Sequence, residues 1–325
     1  MKCINKWICL SLLIAVSCVS GCGKTSAAIE QPYDVYATAA DFGLSSNGTA
    51  EAKSYFASDL CVSEDVAIGT DSQVAEGAGT FNLETNTVVY AKNLYERLYP
   101  ASTTKILTAY IALKYCDDLD AMVTVSENAV NQASDSSVCN LKAGDVIRLR
   151  DLLYGLMLRS GNDAAVAIAE YISGDVDSFA ALMNQEAAAM GATRSHFVNP
   201  NGLPDENHYT CVYDMYLIFS NAIKNDTFVS IIGTTSYDVT YTDASGEAVT
   251  HTWENTNQYL TGNATTPDGF QIVGGKTGTT GEAGYCLVLY SYNPSGQPII
   301  SIVFKADGKS NLYLLMNEML QGFAI

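Results

Sequence analysis

The sequence predicts an α+β fold in one folded domain, with strands at both ends and helices in the middle. Residues 79–91 contain two strand-like runs around a Glu-Thr-Asn turn, and strand patterns return from residue 237 onwards. Between these regions, apolar residues recur at helical spacing in several segments. Strands and helices are therefore segregated along the chain, which predicts a single domain with a helical insertion.

The boundaries of the predicted elements follow turn and helix-end signals. Gly174 and Gly191 follow Ala-rich helices, as is typical where the chain turns left-handed after a helix. A hairpin is predicted at residues 237–253, and two further strands flank an Asn-Pro-Ser-Gly turn at residues 293–296. The predicted helices are residues 106–113, 151–158, 164–172, 178–190, 210–223 and 312–320.

Composition excludes several functional classes. The chain has 325 residues, of which 48% are hydrophobic and 16% charged, as is ordinary for a globular enzyme. A formal net charge of −18 argues against nucleic acid as a partner. The chain has no CxxC motif and its three histidines lack metal-ligand spacing, so we expect neither a metal nor another cofactor.

The N-terminus has the pattern of an export signal. Two lysines precede an apolar run at residues 7–19, which is followed by small residues. Residues 19–22, Val-Ser-Gly-Cys, resemble the bacterial lipobox, which implies cleavage after Gly21 and a diacylglyceryl group on Cys22. We therefore expect a lipoprotein, exported to the outer face of the bacterial cytoplasmic membrane and held there by its lipid, with ordinary cleavage and secretion as the alternative.

The signal peptide at residues 1–21 is followed by a segment, residues 22–60, with little pattern. Its Ala, Ser, Thr, Asn and Glu predict a flexible tether that spans on the order of 35 Å, ahead of a catalytic domain at residues 61–325. An exported chain permits disulfides, so a Cys116–Cys139 bridge and a set of buried free thiols both remain open. The cysteines concerned are Cys61, Cys116, Cys139, Cys211 and Cys286.

A glycine-rich stretch, QIVGGKTGTTGEAG at residues 271–284, contains the GKT of a phosphate-binding loop. Such a loop needs a glycine where this chain has Phe270, and a following helix where this chain has a β-rich run. A second GKT, at residues 23–25, fails the same test because a cysteine occupies the required position. Nucleotide binding is therefore excluded, and Lys276 needs another role.

Ser102 and Lys105 give the first chemical signal. They lie three residues apart at the start of a predicted helix, so both side chains fall on one face. The free N–H groups of a helix start favour a developing negative charge, and a lysine acts as a base when burial or a second cation lowers its pKa. Ser160 and Asn162 lie in a short loop between two apolar helices, where they can point into a cleft.

Three motifs occur in a fixed order: SxxK at residues 102–105, SxN at residues 160–162 and KTG at residues 276–278. Together they resemble the serine penicillin-recognising enzymes. From about residue 75 to the C-terminus, the chain looks like the D-alanyl-D-alanine carboxypeptidases among the low-molecular-mass penicillin-binding proteins. The sequences behind this resemblance are YPASTTKI (99–106), SGNDAA (160–165), FVNPNGL (197–203), PDENHY (204–209) and WENTN (253–257).

The resemblance implies a β-lactamase/transpeptidase-like fold, with a five-stranded antiparallel sheet flanked by helices, a mostly helical subdomain, and the cleft between them. Ser102 would attack the penultimate D-Ala carbonyl of a peptidoglycan stem peptide ending in D-Ala-D-Ala, with Lys105 as general base. Ser160 would relay protons toward the leaving amine, and Asn162 would hold Lys105 and the substrate amide. β-Lactams would inhibit the enzyme by acylating Ser102.

The same resemblance gives the glycine-rich stretch a role in substrate binding. Lys276 would pair with the terminal carboxylate of the peptide or of a β-lactam, with help from Thr277. The glycines, including Gly278, would let an edge strand approach an extended peptide closely. The N–H groups of Ser102 and Thr279 would form the oxyanion hole.

Other functions remain open on the same fold. A serine β-lactamase commonly needs a glutamate-activated water, but residues 196–202, HFVNPNG, contain no ExxxN carboxylate, so we expect slow deacylation of penicillin. A non-hydrolytic sensor of β-lactams or peptidoglycan is disfavoured because every catalytic residue is present. The sequence does not separate carboxypeptidase from transpeptidase or endopeptidase activity. Cys211 stands where the family usually has a small hydroxyl residue.

Overall fold

The computed structural model describes residues 60–62 and 74–324, which form part of one unit, Asp59–Ile325. The predicted signal peptide, the lipidation site Cys22 and all of the predicted tether except its last residue lie outside the described residues. Among the helices that are described, none is long and apolar enough to cross a membrane.

The strands of the described chain form two antiparallel sheets, one large and one small. They are β1 (Ala75–Asn82), β2 (Thr87–Lys92), β3 (Met122–Thr124), β4 (Val146–Arg148), β5 (Ser236–Thr242), β6 (Ala248–Glu254), β7 (Gln271–Thr280), β8 (Gly284–Tyr292) and β9 (Pro298–Ala306). The large sheet has the order β2-β1-β9-β8-β7, and all its pairs are antiparallel. The five-stranded antiparallel sheet and the α+β fold class are therefore confirmed, with the KTG strand β7 at one edge.

The large sheet is covered on both faces, and this explains the apolar runs in its central strands. Along β9, Ile300, Ile302 and Phe304 belong to the larger hydrophobic core, whereas Ile299 and Val303 pack into a second cluster on the other face. Because successive strand residues point to opposite faces, a strand buried on both sides carries a nearly continuous apolar sequence.

The chain between β2 and β7 is mostly helical, as predicted. The helices of the described residues are α1 (Lys105–Tyr115), α2 (Glu127–Val130), α3 (Leu149–Tyr154), α4 (Asn162–Ser173), α5 (Val176–Ala189), α6 (Val212–Ala222), α7 (Asp226–Ile232) and α8 (Lys309–Phe323). The predicted hairpin is β5–β6, but it belongs to a four-stranded sheet, β3-β4-β5-β6, that the sequence analysis missed. Strands β3 and β4 have three residues each, too few to show an alternating pattern.

The helix ends confirm the terminating glycines and explain one departure from the family pattern. Gly174 and Gly191 follow α4 and α5 with φ of 86° and 83°, a left-handed conformation that costs a glycine little. Cys211 caps the N-terminus of α6, where its Sγ accepts the Asp214 N–H at 3.4 Å. A thiol thus takes the place of the hydroxyl cap that a serine or threonine would provide there.

The five cysteines within the described part of the chain are all free thiols. The Cys116–Cys139 bridge that the sequence left open is not formed. Cys116 ends α1 and is partly exposed, whereas Cys139 is fully buried, with its Sγ packed against Gly155 and Gly161. The two side chains therefore occupy different environments.

Candidate active site

Ser102 lies in a single 3-10 turn, Ala101–Thr104, that leads directly into α1. Thr103 closes the turn by donating hydrogen bonds to the Pro100 carbonyl from its backbone N–H at 3.2 Å and from its hydroxyl at 2.7 Å. The first N–H groups of such a turn have no partner inside the helix, so they favour negative charge that develops nearby.

The Lys105 side chain is completely buried beside Ser102. Its Nζ lies 2.9 Å from Ser102 Oγ, 2.7 Å from Asn162 Oδ1 and 2.7 Å from the carbonyl oxygen of Asn201. Burial lowers the pKa of this amine well below its usual range, and the positive charge of Lys276 acts in the same direction. This shift favours the neutral amine, which is the form that a general base needs.

A neutral Lys105 can present only one face of its nitrogen to Ser102. Its two N–H bonds are taken by Asn162 Oδ1 and the Asn201 carbonyl, which can only accept hydrogen bonds. The lone pair is then left for Ser102, whose hydroxyl lies 2.9 Å away. This is the geometry that a general base needs in order to remove the proton of a nucleophilic hydroxyl.

The SxN residues are placed by a break between two helices. α3 continues into a wider helical turn, Gly155–Arg159, after which Ser160 adopts a left-handed conformation with φ of 61°. The chain turns there, and Asn162 begins α4 with its amide against Lys105. Gly161 is needed in this loop, because a Cβ at that position would lie 2.3 Å from Cys139 Sγ.

Lys276 is buried in β7, where its Nζ donates a hydrogen bond to the Thr277 carbonyl at 2.8 Å. Burial lowers the pKa of this amine to about 7. The Thr277 hydroxyl is held by the hydroxyl of Thr256 at 2.6 Å. The second lysine therefore gains a full charge most readily when an anion, such as a terminal carboxylate, binds nearby.

Gly278 allows β7 to lie directly against the Ser102 turn. A Cβ at residue 278 would be 3.0 Å from the Ser102 nitrogen and 3.0 Å from the Pro100 oxygen, which is closer than side chains normally pack. The absence of a side chain thus brings the backbone of Thr279 next to that of Ser102. An oxyanion hole formed by these two N–H groups remains a prediction that this proximity supports.

A cleft opens at Ser102 and consists of two adjoining cavities of about 160 Å³ and 380 Å³. Both are lined by Ser102, Ser137 and Thr279. The smaller cavity is also lined by Ser160, Thr256, Thr277 and Lys309, and the larger one by Asn162 and Asn201. The structure therefore brings together all eight predicted site residues, with Lys105 and Lys276 buried behind the cleft and the other six lining it.

Sequence reasoning missed several of these groups for identifiable reasons. The Asn201 carbonyl is a backbone group, and its position has no signature in residue type. A local signal was present in Gly202, whose φ of 86° and close contact with Ala101 require glycine. Ser137 lies in a stretch without a motif, so nothing in the sequence indicated that it would face Ser102.

The chain is similar in sequence to known proteins. The family model described as D-alanyl-D-alanine carboxypeptidase matches residues 66–308. The D-alanyl-D-alanine carboxypeptidase DacF of Bacillus subtilis is 34% identical over 251 residues, which cover 76% of this chain and 61% of DacF. A D-alanyl-D-alanine carboxypeptidase of Streptomyces sp. strain K15 is 34% identical over 273 residues, which cover 80% of this chain and 90% of that protein.

The solved structures give the same result for the fold. The crystal structure of the Streptomyces K15 DD-transpeptidase superposes with a TM-score of 0.72 at 32% identity, and the match covers 79% of this chain and 100% of that one. The D-alanyl-D-alanine carboxypeptidase DacD of Francisella tularensis superposes with a TM-score of 0.68 at 28% identity, covering 80% and 73% of the two chains. This chain belongs to the D-alanyl-D-alanine carboxypeptidase family of peptidases.

Proposed function

We propose that this protein is a serine-type D-Ala-D-Ala carboxypeptidase that cleaves peptidoglycan stem peptides through an acyl-enzyme on Ser102, and that penicillins acylate the same hydroxyl. The supporting observation is the buried Lys105 amine, which lies 2.9 Å from the Ser102 hydroxyl and, when neutral, can give both of its N–H groups to Asn162 and Asn201 and keep its lone pair for that hydroxyl. Membership of a peptidase family supports the same reaction class.

In the proposed acylation, Ser102 Oγ attacks the carbonyl of the penultimate D-Ala while Lys105 accepts the hydroxyl proton. The N–H groups of Ser102 and Thr279 stabilise the resulting oxyanion. The C–N bond then breaks, and the proton passes from Lys105 through the Ser160 hydroxyl to the leaving D-Ala amine. Water attacks the ester, the Oγ–C bond breaks, and Ser102 regains its proton.

The terminal carboxylate of the substrate would bind at the smaller cavity, beside the Thr277 hydroxyl and Lys276. Both groups lie on the edge strand β7, which an extended peptide can approach as an additional strand. This arrangement selects peptides with a free C-terminus, which is the requirement for carboxypeptidase activity.

Release of D-Ala from a synthetic stem pentapeptide tests the proposal directly. The wild-type protein should release one equivalent of D-Ala per peptide, and Ser102→Ala should release none while keeping the wild-type melting temperature. D-Ala release by folded Ser102→Ala at the wild-type rate would overturn the assignment of the nucleophile.

Transpeptidation is a second candidate, because a solved relative that aligns over its whole length is described as a DD-transpeptidase. The same acyl-enzyme would then be attacked by an amine and not by water. Adding glycine as an acceptor to the pentapeptide assay separates the two. A carboxypeptidase gives mostly the tetrapeptide acid, whereas a transpeptidase gives mostly the glycine adduct.

A β-lactamase activity is disfavoured by the groups around Lys105. The nearby carboxylate of Asp163 already accepts hydrogen bonds from the N–H groups of Cys139 and Leu141, so it is not placed to activate a water. We therefore expect a long-lived penicilloyl-enzyme. Turnover of nitrocefin at many equivalents per second would show a β-lactamase.

We also propose that a lipid on Cys22 holds the protein on the outer face of the cytoplasmic membrane. This proposal is supported by the lipobox-like residues 19–22 and by the apolar run before them. Metabolic labelling with palmitate should mark the wild-type protein, and Cys22→Ser should abolish the label. A Cys22→Ser protein that still incorporates palmitate would contradict lipid attachment at this residue.

A further inference from the structure

We infer that His208 is a positioning residue of this active site: its imidazole ring fastens the segment 198–203 to the start of α1, so that the Asn201 carbonyl meets Lys105. The inference rests on the proposed acylation of Ser102. His208 lies outside the three catalytic motifs. It acts on Lys105 indirectly, by holding the segment 198–203 in place.

The ring of His208 joins two parts of the site. It is 1% exposed, with Nδ1 3.2 Å from the Val198 nitrogen and Nε2 2.8 Å from the hydroxyl of Thr104. The Val198 N–H can only donate, so Nδ1 accepts and the proton of the neutral ring is on Nε2. Nε2–H therefore donates to Thr104, which lies between Ser102 and Lys105 in the SxxK turn.

The neutral form is the one that fits this position. Burial lowers the pKa of His208 to about 4, and the negative charge of Asp205 only partly offsets this shift. At neutral pH the ring thus has one donor and one acceptor, and both are used. A protonated ring would place a second N–H against the Val198 N–H.

The segment 198–203 is attached to α1 at several consecutive residues. The Thr108 hydroxyl donates to the Pro200 carbonyl at 2.7 Å, and Lys105 Nζ donates to the Asn201 carbonyl at 2.7 Å. Gly202 follows with φ of 86°, and a Cβ on it would lie 1.8 Å from the Ala101 oxygen. His208 fixes the first residue of this segment, Val198, and so sets where the Asn201 carbonyl lies.

Loss of the His208 hydrogen bonds should reduce the acylation rate far more than substrate binding. If the Asn201 carbonyl moves away, one N–H of neutral Lys105 loses its acceptor and the lone pair is no longer held toward Ser102. A misplacement on the order of 1 Å can reduce a rate by about 10²-fold. His208 itself lines neither cavity at Ser102, although Asn201 lines the larger one, so the affinity for penicillin should change much less than the acylation rate.

The test measures acylation of the purified full-length chain by a fluorescent penicillin, in the wild type and four variants. His208→Gln keeps an acceptor for Val198 and a donor for Thr104, whereas His208→Leu keeps neither. Thr104→Val removes only the acceptor of Nε2–H, at nearly constant volume. Glu186→Gln is the control, because Glu186 accepts hydrogen bonds from Lys114 and Tyr115 at the far end of α1, at 2.6 Å each.

We expect the limiting acylation rate to fall at least tenfold for His208→Leu and Thr104→Val, with a much smaller change in the half-saturation concentration. His208→Gln should stay within about threefold of the wild type, and Glu186→Gln should lower only the melting temperature. Wild-type acylation by Thr104→Val and by a folded His208→Leu would overturn the inference and leave the proposed function intact. A loss equally large in Glu186→Gln, or a loss in affinity alone, would also overturn it. If penicillin does not acylate the wild-type protein, the proposed function itself is wrong.

Discussion

Asn162 Oδ1 accepts a hydrogen bond from one of the two N–H groups of neutral Lys105. The lone pair of the amine is thereby directed toward Ser102. Asn162→Ala removes this acceptor, so the amine can rotate away from the hydroxyl that it must deprotonate. We expect the acylation rate to fall by about 10²-fold with little change in penicillin affinity, measured by stopped-flow fluorescence.

Asn162→Asp is the informative control, because it restores an oxygen acceptor but adds a negative charge beside Lys105. The charge should raise the pKa of the amine, so the base is protonated at pH 7 and becomes free again at higher pH. Acylation by Asn162→Asp should therefore recover in alkaline buffer, whereas that of Asn162→Ala should not. Equal pH profiles for the two variants would contradict this role of Asn162.

Because the pKa of Lys276 lies near neutrality, we expect substrate binding to depend on pH. Its pKa of about 7 in the free protein means that it loses its proton as the pH rises through neutrality. A bound terminal carboxylate favours the charged amine, so binding takes up a proton and KM for the pentapeptide should rise between pH 7 and 9. Lys276→Met should show a high KM without this slope. A flat KM in the wild type over the same range would contradict carboxylate recognition by Lys276.

Strand β7 depends on glycine where it meets the Ser102 turn. Gly278→Ala would place a Cβ 3.0 Å from the Ser102 nitrogen, so strand and turn must separate by a few tenths of an ångström or more. We expect acylation to slow by about 10²-fold, because the two N–H groups of the oxyanion hole no longer converge.

The matched control is Gly281→Ala, in the turn after the same strand, where a Cβ would have no heavy atom within 4 Å. It should acylate at the wild-type rate, and both variants should have similar melting temperatures. Equal rates for Gly278→Ala and the wild type would show that the close approach of β7 is not needed for the reaction.

Helices α1 and α5 are joined by a buried carboxylate. Glu186 of α5 is 3% exposed and accepts hydrogen bonds from Lys114 Nζ and the Tyr115 hydroxyl, both on α1. Glu186→Ala should reduce the free energy of unfolding by roughly 0.5–1 kcal/mol, measured by urea denaturation, because two hydrogen bonds are lost while their exposed donors can bind water instead. An unfolding free energy equal to that of the wild type would show that this contact adds nothing.

The elements that the sequence predicted correctly are long and periodic. α1, α4, α5 and α6 have apolar residues at helical spacing, and the paired strands around residues 84–86 and 293–296 have recognisable turns. The sequence predicted the β5–β6 hairpin of the small sheet but not its other two strands. β3 and β4 have only three residues each, and they form strands because they pair within the sheet that contains this hairpin. Tertiary context decides such short strands.

The candidate site shows the same division. Side chains in motifs, such as Ser102, Lys105 and Lys276, could be predicted because residue type and order identify them. The Asn201 carbonyl and the ring of His208 could not, because their roles depend on which distant groups the fold places against them. Thr104 and His208 are 104 residues apart in the chain and meet only in the folded protein.

The molecule as a whole buries two lysines although its formal charge is −18, and the charge of Lys276 lowers the pKa of Lys105. Lys105 comes from the helical part and Lys276 from the edge of the large sheet, so the pair exists only when both are folded together. Burial lowers both pKa values, which suits the roles proposed for the two lysines: Lys105 as a neutral base, and Lys276 as an amine that becomes charged when a carboxylate binds.

The rate at which penicillin becomes covalently attached to Ser102, followed by intact-protein mass and peptide mapping, tests this account most directly. The wild type should form one adduct on Ser102, and Lys105→Met, with a side chain of similar length and no base, should form it about 10²–10⁴-fold more slowly. Attachment to folded Lys105→Met at the wild-type rate, or an adduct mapped to another residue, would contradict a hydroxyl activated by an uncharged amine.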